Sequence, residues 1–392
     1  MKFKIPFSGR SHAYTDEEIG VMVVAAREAV TLTQGSYLRE FEAAFRSYAG
    51  VSHAFAVSNA TAALEMAAEL CQFESGDEVI IPSHTFTSSA YPFIKKGATP
   101  VWADIDPMTR VATAQTIAKC ITPRTKAVVA VHLYGYGADM PEIMALAKKH
   151  NLIVIEDAAQ ALGAKIDGKM VGSFGDFGVY SFHSHKNITT LGEGGMLAVR
   201  DPATAAVVPM LRHNGHCPFP GEREDYWIPA MGNVDLPELN GKPLMPNNYS
   251  LGEVECALGA KLLERSDTMN GEKRARALRF IDALADCPEL TFHRVETDRH
   301  TYHLLPAQIK SGWRDAFIRT MARKRGIQCV VQYYPLNRYD FYKKLGFGDA
   351  DCPNADAFFD NMVSFPFQHT LTEAELQTII EAARQTIREL RG

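Results

Sequence analysis

Two amphipathic stripes open the chain. Between Asp16 and Val30 apolar residues recur at three- and four-residue spacing, and Tyr37 to Tyr48 repeats the pattern with Phe41, Phe45 and Tyr48 on one side, so the spacing predicts two helices. The period then shortens. Compact β-rich runs alternate with helical segments: HAFAVS before TAALEMAAEL, then DEVIIPS, TPVWADI, KAVVAVHL, NLIVIEDA, FGVYSFH and GGMLAVRD. Several of these runs are apolar at every position, as strands buried on both faces must be. The alternation predicts an α/β fold with a large mixed, mostly parallel sheet covered by helices.

From Asn214 to Asn248 the periodicity fails and Pro, Gly, Asn and aromatics take over, which predicts a long functional or interfacial loop. Helices are expected next over Leu251 to Asp267 and Glu272 to Ala285, leading into a smaller C-terminal α/β unit. The expected division is residues 1–250 for a large domain with its N-terminal segment and 251–392 for a smaller one. A chain of 392 residues has material for both.

Composition narrows the function classes. With 46% hydrophobic and 22% charged residues the chain is an ordinary globular protein, and a net charge of −5 provides no field to gather nucleic acid or an anionic membrane surface. Seven scattered cysteines, none spaced as CxxC, indicate neither a disulfide framework nor a metal site. The start MKFKIPFSGRSH has no apolar core of a leader, and no run approaches the ~18 apolar residues of a membrane span. A cytoplasmic location is expected.

The chemistry concentrates at strand ends. Asp157 closes the apolar run NLIVIED, the edge where open α/β sheets hold ligands. In FGVYSFHSHKNITTLGEGG, Ser181, His183 and Lys186 follow another strand and precede a glycine-rich turn where backbone can approach closely. In VSNATAALEM a strand runs into Ser58-Asn59-Ala60-Thr61 and a helix starts, which presents free N–H groups and a positive dipole end to a phosphate. Each feature alone has a plain structural reading: a helix cap for Asp157, a solvated amine for Lys186, a hairpin for the glycines.

In the order strand–SNAT–helix, PSHTFTSSA, HLYGYGADM, EDAAQALGA and SFHSHKNITTLGEGG, these motifs resemble the DegT/DnrJ/EryC1/StrS family of sugar aminotransferases over essentially the whole chain. The resemblance implies the fold type I aminotransferase fold and pyridoxal 5′-phosphate as cofactor. Lys186 matches the Schiff-base lysine, whose free amine must be available, so a depressed pKa is expected. Asp157 matches the carboxylate that faces the pyridine nitrogen, Gln160 the group near the phenolic oxygen, and Phe86 the aromatic on the ring face. Ala60, Thr61 and Ser181 match the phosphate cup. Asn248 matches an Asn that reaches the phosphate site of a second subunit, so a homodimer with shared active sites is implied.

The chain departs from the family pattern at Ser250, where Arg is common, and at Gln332 and Asn337, where His is frequent. Gln332 and Tyr333 remain substrate-mouth candidates, and His183 is expected to pack at the site floor. The resemblance implies L-glutamate as amino donor and a keto or aldehyde sugar as acceptor. With these departures the acceptor expected is 8-oxo-3-deoxy-manno-octulosonate, giving an 8-amino sugar for lipopolysaccharide; a nucleotide-linked keto-sugar is the alternative. An acid sugar needs cationic contacts, and Arg10, His12, Arg212, His213 and Arg338 are the candidates.

Two other classes stay open. Some relatives carry His in place of the lysine and act as sugar dehydratases, and His185 stands beside Lys186, but counting from Ser181 to GEGG puts the lysine in the Schiff-base slot. A non-catalytic pyridoxal-phosphate-binding regulator is the other, disfavoured by the full set of Lys186, Asp157, Gln160 and phosphate cup.

Overall fold

The computed structural model describes residues 2–9, 11–219 and 232–392. Seven strands form the central sheet: β1 (His53–Val57), β2 (Glu78–Pro82), β3 (Thr99–Ala103), β4 (Thr125–Val131), β5 (Ile153–Asp157), β6 (Phe177–Ser181) and β7 (Gly195–Val199). Their order is β1-β7-β6-β5-β4-β2-β3. All pairings from β6 through β3 are parallel, and β7 alone runs antiparallel, inserted between β6 and β1. The carboxyl ends of the six parallel strands therefore share one edge, which is where loops carry chemistry in such sheets.

The apolar runs are strands because helices cover both faces. Every residue of β2, β6 and β7 is buried. The helix Ala60–Cys71 buries Ala62, Ala63, Ala67 and Ala68, small side chains that let its axis lie close to β7. The helix Ser36–Ala49 inserts Phe41 and Phe45 against Phe182 at ring distances of 5.3 and 6.0 Å. Phe45 also meets Tyr180 edge-on at 4.8 Å. These aromatic contacts fix the end of β6, four residues before Lys186.

A second sheet of three antiparallel strands, β8 (Leu290–Phe292), β9 (Leu305–Ile309) and β10 (Met362–Phe365), lies under the helices Arg314–Arg325 and Glu373–Arg391. Its hydrophobic cluster runs from Ala277 to Ile387 and takes in Ile5 from the N-terminal segment. Residues Leu251 to Leu263 pack instead with the first cluster, where the helix Glu253–Leu263 lies on the two N-terminal helices. The next helix spans Ser266–Ala283 and begins before the expected Glu272. Its polar first turns are held by tertiary bonds that periodicity does not reveal: Asn270 Nδ2 donates to the Leu162 carbonyl at 2.9 Å and Asn187 Nδ2 donates to Asn270 Oδ1 at 2.8 Å.

Within the loop expected from Asn214 to Asn248, His216–Cys217 pairs antiparallel with Asn233–Val234. All seven cysteines are free thiols. Among the described residues no helix is long and apolar enough to cross a membrane, and no cluster of three His, Cys, Asp or Glu side chains could hold a metal ion.

Candidate active site

A cavity of about 890 Å³ opens at the strand ends, and Ala60, Thr61, Phe86, Asp157, Gln160, Ser181, His183, Lys186, Gln332 and Tyr333 all line it. Segments more than 270 residues apart in sequence thus meet in one place because the parallel strands all point there.

At one end stands the start of the helix Ala60–Cys71. Asn59 caps it, its Oδ1 accepting from the Ala62 N–H at 2.8 Å, which leaves the N–H groups of Ala60 and Thr61 without an acceptor among the described residues. Thr61 Oγ1 donates to Ser88 Oγ at 3.0 Å. Gly195, the first residue of β7, lies so close that a Cβ there would stand 2.5 Å from the Asn59 carbonyl carbon and 2.6 Å from the Ala60 nitrogen. The glycine is required by this close approach. Ser181, opposite Gly195 in the ladder, puts its hydroxyl beside the same helix start.

Asp157 at the end of β5 is held on both oxygens. Ser89 Oγ donates to Oδ2 at 2.7 Å, the Ala159 N–H donates to Oδ1 at 3.1 Å, and Thr85 Oγ1 bonds Ser89 Oγ at 3.0 Å. Gln160 is oriented by the Tyr134 N–H, which donates to its Oε1 at 2.9 Å, and its Nε2 donates to Tyr333 Oη at 3.0 Å. Tyr134 in turn bonds His84 Nε2 through its hydroxyl at 2.7 Å and donates to the Gln332 carbonyl. Burial holds His84 neutral, its pKa lowered to about 3. Phe86 is 52% exposed and turns its ring into the cavity, edge-on to Tyr333 at 5.9 Å. An exposed aromatic at a cavity mouth is an open stacking surface.

Lys186 is half-buried, and desolvation lowers its pKa to about 8 against the opposing pull of Asp157 and Glu193. Its amine is thereby a usable nucleophile near neutral pH. The loop that carries it is anchored by His12 Nε2 on the Lys186 carbonyl at 2.8 Å and by the Asn187–Asn270 bond. His183 does not pack at a buried floor: its side chain is 39% exposed on the cavity wall, 3.9 Å from Glu193. His185 points outward and bonds Ser11 Oγ at 2.8 Å.

The expected cationic contacts fare differently. Arg10 lies outside the described residues. Arg212 is committed to Glu42 at 2.5 Å and the Ala56 carbonyl at 2.7 Å, and Arg338 to Asp356 at 2.7 Å and Asp360 at 3.3 Å. His213 bonds Ser250 Oγ at 3.1 Å and faces His216. Asn248 is exposed, bridges to His213 and stands apart from the residues lining its own chain's cavity. Sequence reading missed Ser89, Tyr134, Glu193 and His303. Ser89 and Tyr134 stand inside the quoted motifs PSHTFTSSA and HLYGYGADM, where only their partners Asp157 and Gln160 disclose a role.

The donor set suits a pyridine-aldehyde phosphate: N–H groups and hydroxyls at a helix start, a carboxylate bonded on both oxygens, an aromatic face and an amine of lowered pKa. Comparison with known proteins agrees. The model of the DegT/DnrJ/EryC1/StrS aminotransferase family matches residues 13–384. The chain is 36% identical over 358 residues to GDP-perosamine synthase of Caulobacter vibrioides, covering 90% of this chain and 91% of that one. It is 32% identical over 353 residues to the UDP-N-acetyl-3-dehydro-alpha-D-glucosamine 3-aminotransferase of Acidithiobacillus ferrooxidans, covering 90% and 89%. A protein of Streptococcus pneumoniae, solved in a PMP and a PLP form, superposes with TM-scores of 0.86 and 0.84 at 26% and 25% identity, over 98% of this chain and 99% of the other.

Proposed function

The chain belongs to the DegT/DnrJ/EryC1/StrS aminotransferase family and is a pyridoxal-phosphate-dependent sugar aminotransferase, and we propose that it moves the amino group of L-glutamate to a keto or aldehyde sugar. Bound in the cavity, the cofactor supplies an aldehyde to carry the amino group and a ring to absorb electrons from the substrate carbon. The protein's residues do the rest. Lys186 provides the amine that holds the aldehyde and moves the proton at the substrate carbon. Asp157, fixed by Ser89 and the Ala159 N–H, would hold a proton on the ring nitrogen of the bound cofactor. The N–H groups of Ala60 and Thr61 with the Thr61 and Ser181 hydroxyls take the phosphate, and Phe86 sets the ring tilt. Gln160 would meet the phenolic oxygen of the cofactor, and Tyr333, bonded to Gln160, would meet the entering substrate. In the homodimer we infer, Asn248, exposed on its own chain, would serve a partner's phosphate site.

The observation that carries the reading is a lysine of lowered pKa whose opposing charge is Asp157, both on one cavity wall. The acceptor we favour is 8-oxo-3-deoxy-manno-octulosonate, and Gln332, which lines the cavity, is the residue we expect to meet it. A nucleotide-linked keto-sugar is the second reading, favoured by the names of the two relatives above. The test is the spectrum of the cofactor-loaded protein. L-glutamate should bleach the visible band of the aldehyde form, and the correct keto-sugar should restore it. A band that L-glutamate leaves unchanged would sink the donor assignment, and ammonia formed from glutamate in place of an amino sugar would point to dehydration.

A further inference from the structure

A second cavity of about 60 Å³ lies behind the lysine loop, walled by the N-terminal segment, the helix Ser266–Ala283 and the turn at 367–369. It shares Phe7, Ser8, His185, Lys186, His303 and Leu304 with the main cavity. Its volume suits a carboxylate or about two waters. Among its described lining residues there is no aspartate or glutamate, whereas two lysines and four histidines are among them.

The amine of Lys273 is the centre of this pocket. Its Nζ donates to the His303 carbonyl at 2.9 Å, stands over the Phe367 ring at 5.8 Å from the centroid, and makes no ion pair with any described carboxylate, so donor capacity remains for a ligand. Burial and the neighbouring Arg276 lower its pKa to about 7. Around it, His303 Nδ1 and Gln368 Oε1 are buried without partners, and rotation of the Gln368 amide turns an N–H inward. A half-buried lysine without a counter-ion, in an acid-free pocket with unsatisfied polar atoms, lacks an anion.

We propose that this pocket is a carboxylate subsite, in which Lys273 holds the acid group of a substrate whose reacting carbon lies at Lys186. The subsite deepens the aminotransferase reading and rests on it for the substrate's identity, though anion binding itself does not require turnover. The acid group could belong to the amino donor or to an acidic acceptor sugar, and the chemistry recognised is the same.

The test is calorimetric titration of the cofactor-loaded protein with glutarate, a dicarboxylate without an amine, and separately with 3-deoxy-manno-octulosonate, an acid sugar without a carbonyl at C8. One of the two should bind at least about ten-fold more tightly to the wild type than to Lys273→Gln. Glutarate as that ligand assigns the subsite to the donor, and the acid sugar assigns it to the acceptor. Lys273→Arg, which keeps the charge, should bind within about three-fold of wild type. Equal affinities in wild type and Lys273→Gln, no binding of either probe to wild type, or equal loss in the Arg and Gln variants would overturn the proposal. Failure of L-glutamate to change the spectrum while the probes still bind would instead remove the donor reading and leave the subsite standing.

Discussion

Ser89 donates a 2.7 Å hydrogen bond to Asp157, although Ser89 sits in the turn after β2 and Asp157 is the last residue of β5. Thr85 engages the same serine hydroxyl, so the carboxylate is aimed by a short relay rather than by its own backbone alone. Ser89→Ala should therefore lower turnover about ten-fold, the worth of one charge-assisted bond, while the cofactor remains bound. Asp157→Asn should lower it by ~10² or more. Single-turnover spectra with L-glutamate distinguish the two, and full activity in Ser89→Ala would remove the positioning role.

Lys186→Ala should fold, lose the visible band that the lysine-linked cofactor gives, and lose turnover. Restored activity on adding a small primary amine would place the defect at the amine itself.

The lowered pKa of Lys186 has a stability consequence with a definite sign. In the folded chain the amine titrates at about 8, below its ordinary 10.5, so between these values the unfolded chain binds more protons and stability rises with pH. The cost of burying the ammonium is thus present at pH 7 and gone by about pH 10.5. In the cofactor-free protein, Lys186→Met should unfold at a higher temperature than wild type at pH 7, by an amount on the order of 3 kcal/mol at most, and the gap should close toward pH 10.5. A gap independent of pH would show that packing, and not charge, sets it.

Gly195→Ala introduces a methyl where backbone atoms of Asn59 and Ala60 already stand at 2.5 and 2.6 Å. Either the helix start or β7 must retreat, at a cost of about 1–3 kcal/mol. Thermal unfolding should register that loss, and inorganic phosphate should protect the variant less than it protects wild type. Equal protection would show that the helix start does not hold phosphate.

Glu156 is fully buried and accepts from the N–H groups of Gly172 at 2.7 Å, Phe174 at 2.6 Å and Gly175 at 2.6 Å, with His132 Nε2 at 3.0 Å. Glu156→Gln sets an amide N–H against one of these donors. A loss of about 2–3 kcal/mol in unfolding free energy, read from denaturant titration, is expected, with affinity for the cofactor reduced because Asp157 is the next residue.

What was legible in the sequence follows from which physics is local. Strands such as β6 and β7 announce themselves because burial on both faces demands apolar runs, and Asp157 and Lys186 announce themselves because charged residues end or closely follow such runs. The phosphate cup needs only Asn59 as a cap and a small residue at 60, both visible in SNAT. His183 was misplaced because whether a histidine at a strand end packs or faces solvent depends on Glu193, ten residues on. The early start of the helix at Ser266 was hidden for the same reason, since Asn270 is held by Leu162 and Asn187, far away in sequence. Lys273 carried no signal at all: its isolation is a property of the pocket, and a lysine on a polar helix face looks solvated.

The loops at the sheet's carboxyl edge are bonded to one another: Thr61 to Ser88, Ser89 to Asp157, Tyr134 to Gln160, and Gln160 to Tyr333. For anyone redesigning this enzyme, that stitching makes the loops a single exchangeable cassette. Grafting one from a relative strands a donor or acceptor on its neighbour, so single swaps should fail where a concerted exchange of all five segments succeeds, and their effects should be far from additive.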